Sequence, residues 1–291
     1  MIQTLVSKPH WSLAHFVCQY SIKEFDCLGD THVLPMCANN QINLTFFINC
    51  DTPTFYSSAV CCKADQVNLD GYPGCLYCGL LTSYLGSMVF KGHIKMLSIY
   101  FKPTGFYGLF GISPAQITDR LAAAVELLSA PVLKLQEQMQ QAKTNAEIFK
   151  LADAYLQAHL HAIQNVDAAL CLIKVTELLS SRTGMLSVSQ LAYTANMSLK
   201  TFERKFIEQV GVYPKLYSRI RRFTAAFKFK TDHPNASWTM ICFLCGYYDQ
   251  NHFIKEFIEF AGMSPLNFFK VFPVPEENVL SFNDRVLIED N

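Results

Sequence analysis

Between Ser187 and Phe269 the chain spells one local plan twice, about fifty residues apart, and few folds accommodate such a repeat. Ser187-Val188-Ser189-Gln190 sets a serine three places before a glutamine, so two free backbone donors of a helix start can be satisfied. That helix runs through Leu191 and Ala192 and breaks at Asn196-Met197. Ser198 can cap a second helix from Leu199 to about Gln209, which Gly211 ends. In it Phe202 and Phe206 fall one turn apart on one side, whereas Lys200, Thr201, Arg204 and Lys205 point largely elsewhere. Downstream, Ser237 caps a helix over Trp238, Ile241 and Leu244 that stops at Gly246. Asp249 caps another over Phe253 and Phe257 that stops at Gly262, with Gln250, Asn251, His252 and Lys255 on or beside its outer face. Pro214 suits the first turn of the helix between the two units, and Ser264-Pro265 opens a last short one.

Charge singles out the same stretch. The net charge over 291 residues is zero, but Ser181 to Lys270 holds twelve Lys plus Arg against six Asp plus Glu. Residues 1–180 carry eleven against thirteen, and residues 271–291 one against five. The helical repeat is therefore the cationic part, as a phosphate-binding surface requires.

Ser198-Leu199-Lys200-Thr201-Phe202-Glu203-Arg204-Lys205-Phe206, Gly211-Val212-Tyr213-Pro214, Gly246-Tyr247-Tyr248-Asp249-Gln250-Asn251-His252-Phe253, and Phe257 with Gly262-Met263-Ser264-Pro265 come in that order. In these anchors the last third of the chain resembles the paired helix-turn-helix domain of AraC/XylS-type bacterial transcription regulators. The resemblance implies two recognition helices entering successive major-groove segments of double-stranded DNA, in an activator or a repressor. Cys242 stands where the family usually has alanine, Tyr247 replaces a common phenylalanine, and Phe268-Phe269-Lys270 replaces a tyrosine-arginine ending. All three are packing positions.

Family positions put Lys200, Thr201, Glu203 and Arg204 on the groove in the first unit, and Gln250, Asn251, His252 and Lys255 in the second. Arginine can hold guanine through two hydrogen bonds, and asparagine can pair with adenine, each such pair discriminating by about 1–3 kcal/mol. Read alone, these side chains are ordinary solvated helix faces; the repeat around them is what points to a reading surface. Ser198, Lys205, Lys215, Arg219, Arg221, Arg222 and Asn267 are candidates for phosphate contacts, which add affinity and salt dependence without sequence information. For the cationic side chains among them, surface charge kept for solubility is the competing explanation.

Upstream, Leu13, Phe16, Val17 and Tyr20 recur at helical spacing, predicting a short amphipathic helix after Pro9. Ile42, Leu44, Phe46 and Ile48 alternate with Asn43, Thr45, Phe47 and Asn49, the period of a strand with one face on a core. Apolar segments at 55–62, 75–81, 88–90 and 94–101 are split by turn signals such as Asp70-Gly71 and Lys91-Gly92. They predict an α+β N-terminal domain built on a mostly antiparallel sheet or small barrel. Leu34-Pro35 before Ile42 to Ile48, Phe101-Lys102-Pro103-Thr104-Gly105 and Leu109-Phe110-Gly111-Ile112-Ser113-Pro114 are similar to an uncharacterised domain often found ahead of this DNA-binding unit. That second resemblance implies a sensory or assembly role and names no ligand.

Ser113-Pro114-Ala115-Gln116 predicts a capped helix through Leu121, Val125 and Leu128, and Thr144 to Glu147 repeats the device before Ile148. A third helix, about 166–181, closes before Gly184. These helices either relay a change from the sheet or pair two subunits. The expected organisation is residues 1–112 as a β-rich sensory or assembly domain and 113–182 as a helical linker or dimerisation region. Residues 183–272 form the all-α DNA-binding domain, and 273–291 an acidic tail.

Eleven cysteines in a chain long enough to build its own cores read as reduced thiols, mostly buried. Cys75-Leu76-Tyr77-Cys78 has the spacing of a zinc knuckle or dithiol, with Cys61-Cys62 upstream. The competing reading is therefore a cysteine-based metal or redox sensor, or a thiol-transfer enzyme, acting at DNA. His159 and His161 fall two apart on a helix, too far round to share a metal. A Gly-rich phosphate loop, a Gly-x-Ser-x-Gly elbow and His-Glu-x-x-His are missing from the sequence, so neither catalysis nor a cofactor is expected. Besides DNA, the partners to consider are a small-molecule effector, RNA polymerase and a second copy of the chain. With no long apolar run or secretory start, a cytoplasmic location away from membranes is the default expectation.

Overall fold

The computed structural model describes residues 3–50, 53–57, 66–67, 74–162, 172–181 and 186–272. Its N-terminal half is an antiparallel sheet: β1 (Gln3–Ser7), β2 (Val17–Met36), β3 (Asn43–Phe47), β4 (Thr54–Ser57), β5 (Gln66–Val67), β6 (Cys75–Cys78), β7 (Gly86–Phe101) and β8 (Leu121–Ala123). The order is β1-β2-β7-β3-β6-β8, with β4 and β5 attached to β7. Alternation sorts the side chains between two interiors. Tyr20, Ile22, Leu44, Phe46, Cys75, Tyr77, Leu97 and Ile99 face the helices and join the main core, which continues into the C-terminal unit. Phe25, Phe47, Leu76, Phe90 and Met96 form a smaller core on the other face. The predicted strand at Ile42 to Ile48 is thus apolar on one side and divided on the other, where Phe47 packs but Asn43 and Thr45 line a cavity of about 110 Å³.

Three local expectations change. The helix expected over Leu13 to Tyr20 is a 3-10 turn, Trp11–Leu13, followed by the start of β2. Tyr20 pairs with Ile99 in the ladder and its hydroxyl donates to Asp153 Oδ1 at 2.7 Å, so sheet partners outweigh a helical pattern only two turns long. Lys91-Gly92 does not separate two strands, because β7 runs through it. Gly92, at φ 68°, lies opposite a break in β2 between Asp26 and Thr31, and the ribbon bends there. Ser113 does not cap a helix: its hydroxyl donates to the Glu208 carbonyl at 2.8 Å, and Leu121–Ala123 pairs with β6 as the last strand. The sheet domain therefore reaches Ala123. Asp70-Gly71, Cys61, Cys62, Gly184 and the acidic tail lie outside the described residues, as does the start of the helix expected at 166–181.

The helices are α1 (Gly105–Phe110), α2 (Val125–Leu128), α3 (Ala130–Gln141), α4 (Asn145–Ala162), α5 (Ile173–Ser181), α6 (Val188–Thr194), α7 (Leu199–Val210), α8 (Pro214–Asp232), α9 (Trp238–Leu244), α10 (Gln250–Ala261) and α11 (Pro265–Val271). At α4 the Thr144 hydroxyl accepts from Glu147 N at 3.2 Å, while Glu147 Oε2 accepts from Lys143 N at 2.9 Å. The reciprocal cap is thus shifted by one residue from the expected form.

Candidate nucleic-acid interface

Side-chain caps open five of the six helices of the C-terminal unit, and Pro214 opens α8. Ser187 and Gln190 form the complete reciprocal cap of α6. Ser198, Ser237, Asp249 and Ser264 each accept a backbone N–H three residues ahead, opening α7, α9, α10 and α11. Asn196 at φ 52° and Gly246 at φ 72° make the tight turns. Gly211 at φ 103° and Gly262 at φ 78° end α7 and α10 in the left-handed region, where a side chain is penalised.

The two units are one module used twice. Phe202, Phe206, Gly211 and Pro214 correspond to Phe253, Phe257, Gly262 and Pro265, each pair 51 residues apart. Phe202, Phe206, Phe253 and Phe257 are fully buried and hold the same side of α7 and α10 against the core. Phe206 meets Tyr217 at 5.6 Å, and Phe257 meets Phe223 at 5.2 Å. Tyr217 and Phe223 both belong to α8, so one helix carries both modules. Because the phenylalanines hold the inner side, the polar side chains are left outside. Lys200, Arg204, Gln250, Asn251 and Lys255 are exposed; Thr201, Glu203 and His252 are half-buried. By the same offset Lys200 corresponds to Asn251 and Arg204 to Lys255.

The phosphate candidates divide. Lys215 and Asn267 are exposed, Lys205 is half-buried, and the Ser198 hydroxyl is taken up by its cap. Arg219 and Arg222 are engaged within the fold. Glu256, only 3% exposed, accepts from Arg219 Nε at 2.7 Å and from Arg222 Nη2 at 3.0 Å, with His252 Nε2 3.4 Å away. Burial alone would lower the Arg219 pKa, but hydrogen bonds to Glu259 and Glu256 outweigh it, and the value rises. Arg222 also lies over the Tyr247 ring, 4.5 Å from its centroid. Sequence reasoning missed Glu256; the available signal was an acid at the position equivalent to Lys205, on the anchored side of α10. Arg221 lines a cleft between α8 and the N-terminal domain.

The modules also rest on the sheet domain. Ala38 N donates to the Phe260 carbonyl at 2.8 Å, Tyr107 OH to Glu208 Oε1 at 3.1 Å, and Thr118 Oγ1 to the Gly211 carbonyl at 3.2 Å. The C-terminal end of each outward-facing helix is therefore held by the N-terminal domain.

Cys75 and Cys78 are not brought together. On β6 they take opposite faces, Cys75 in the main core and Cys78 at the small cavity, so one ion or one disulfide cannot join them. Burial raises both thiols, Cys78 up to about 12. Among the described residues no group of three His, Cys, Asp or Glu side chains could hold a metal. His159 Nδ1 lies 3.0 Å from the Tyr155 carbonyl, and nothing is described of the His161 side chain. No described helix is long and apolar enough to cross a membrane.

Duplicated, cation-bearing helices with outward polar faces on one shared scaffold define a DNA-binding transcription regulator. Residues 172–270 match the family described as Helix-turn-helix domain, and the C-terminal part of the chain is an AraC-type helix-turn-helix domain. Residues 6–123 match a family described as a domain of unknown function, DUF6597. No curated protein matches the chain. Similar solved structures include ToxT from Vibrio cholerae O395, at 10% identity over 94% of this chain and 98% of that one, with a TM-score of 0.45. Another is unsaturated fatty acid bound wild-type ToxT from Vibrio cholerae strain SCE256, at 10% identity over 90% and 96%, TM-score 0.44. The AraC-like transcriptional activator CuxR is at 13% identity over 78% and 86%, TM-score 0.22. At these scores the likeness is loose, and the assignment rests on the repeat and the family match.

Proposed function

We propose that the chain is a sequence-specific regulator in which α7 and α10 read neighbouring major-groove segments. Lys200, Thr201, Glu203 and Arg204 meet bases in one, and Gln250, Asn251, His252 and Lys255 in the next. Exposed Lys215 and Asn267 meet phosphate, together with Lys205, while the Ser198 hydroxyl stays in its cap. Arg219 and Arg222 serve mainly to brace α10 through Glu256, and a phosphate would have to share them. The N-terminal domain senses an effector or partner, and its grip on the ends of α7 and α10 gives it a route to the DNA-reading surface. The observation that carries the reading is the duplicated module, whose equivalent positions Arg204 and Lys255 are both solvent-exposed while the equivalent phenylalanines are sealed.

Sequencing the genomic fragments that the full chain retains would reveal the operator. Arg204→Ala should then weaken the cognate site by about tenfold or more while leaving random duplex nearly unchanged, whereas Lys215→Ala should weaken both alike. Equal losses on both duplexes for Arg204→Ala would refute base reading by α7.

A further inference from the structure

The two modules differ on one face. The caps Ser187 and Ser237 are 50 residues apart, but Ser198 and Asp249 are 51 apart, so the second turn holds one residue more. Met197 and Tyr247 each donate N–H to the carbonyl five residues back, at Ala192 and Cys242, which makes Tyr248 the added residue. Counted from the caps, Gln190, Tyr193 and Thr194 of α6 become Met240, Phe243 and Leu244 of α9. Spaced three and four places apart, these three share the side of α9 opposite buried Ile241, Cys242 and Cys245. Phe243 is 83% exposed and Tyr248 93%, while Met240 and Leu244 are about half exposed. The helix-turn-helix does not require this, because the first module folds the same way with a glutamine and a threonine there. A contiguous apolar face left in solvent marks a place where something docks.

Residues 273–291 suit that face in chemistry and in reach. They hold five acids and one arginine, with apolar runs at Val279-Leu280 and Val286-Leu287-Ile288 and Phe282 between them. Lys255 on α10 and Lys270 at the end of α11 are exposed, and among the described residues neither is in an ion pair. The acids around α10 do not offset them: Asp249 caps the helix, and Glu256 and Glu259 are held by Arg219 and Arg222. The described chain ends at Phe272, whose ring meets Phe268 at 5.1 Å, and Phe269 of the same helix meets Trp238, the first residue of α9, at 5.5 Å. The segment therefore starts beside a helix about 10 Å long, and its nineteen residues can span up to about 60 Å.

We propose that residues 273–291 dock on the second module, an apolar run covering Phe243 and Leu244 and the acids reaching along α10 to Lys255. The consequence rests on the regulator reading: the docked segment lies where duplex phosphates approach, so DNA must displace it. Cognate and random duplex are then weakened by the same factor, which keeps random sequence from occupying the protein while base contacts still secure the cognate site.

The test places a photoreactive benzophenone amino acid at position 243 of the full chain. Cross-links mapped by mass spectrometry should fall on residues 273–291 of the same chain, in a yield that dilution leaves unchanged and excess duplex lowers. Adducts to a second copy, or none to residues 273–291, would overturn the proposal. In a second arm, Phe282→Ser and Phe243→Ser should each tighten cognate and random duplex alike by about three- to tenfold, and the two together no more than either alone. Unchanged affinity in Phe282→Ser, or additive gains in the double variant, would also refute it. Failure of the regulator reading is distinguishable, since it shows as no salt-dependent association with duplex while the cross-link stands.

Discussion

Replacing Glu256 with glutamine tests how the second reading helix is held. The carboxylate is 3% exposed and accepts from Arg219 at 2.7 Å and Arg222 at 3.0 Å, whose side chains are 30% and 17% exposed. Stripping one partner from a buried ion pair costs about 3–5 kcal/mol when the other charge is left stranded. Here the stranding is partial, because Arg219 keeps Glu259, both guanidinium groups reach some water, and glutamine still accepts one hydrogen bond. About 2 kcal/mol is therefore the expected loss. Glu259→Gln is the control: Glu259 meets the same arginine but is half exposed, and a screened pair of that kind contributes less than about 1 kcal/mol. Urea unfolding of the two variants supplies both numbers, and a Glu256→Gln, Arg222→Gln double-mutant cycle should show coupling above about 1 kcal/mol. A Glu256→Gln loss below about 0.5 kcal/mol, or equal to that of Glu259→Gln, would show that the buried carboxylate does not organise the helix.

Phe257→Ala should destabilise by about 3–5 kcal/mol, because a fully buried ring in contact with Phe223, Phe253 and Phe268 leaves a cavity; retention of the wild-type urea midpoint would count against the shared core. Gly211→Ala should cost about 2 kcal/mol or more, since at φ 103° an added Cβ is strained and would sit 2.9 Å from Thr118 Oγ1; a loss under about 0.5 kcal/mol would show that α7 does not end as described. Burial pushes the Cys78 thiol up to about 12 and the Cys245 thiol to about 11, from an ordinary 9.0. The folded state keeps these protons longer than the unfolded one, so the stability they contribute is complete below about pH 9 and is lost as pH rises through 11 to 12. Urea midpoints that stay level between about pH 8.5 and 10.5 would contradict this.

What proved legible from sequence alone was everything set by neighbours within a few residues. Every cap of the C-terminal unit, the glycine stops and the phenylalanine sides of α7 and α10 follow from spacing, because helix ends and amphipathic faces are local properties. The same reasoning failed at Tyr20 and Ser113, whose partners lie 79 and 95 residues away, at Ile99 and Glu208. There the competing partner came from the sheet ladder or from the docked module, and no local pattern carries that information.

The reading surface divides the same way. Which residues are polar, cationic and opposite the phenylalanines was written in the chain order, since a helix converts spacing directly into faces. Which of those cations stay available was decided by the tertiary structure. Lys200, Arg204 and Lys255 remain in solvent, while a buried glutamate holds Arg219 and Arg222, and a cleft against the sheet takes Arg221. The reason is desolvation: a charge brought under the surface must find its opposite there, and only the assembled fold determines which charges meet.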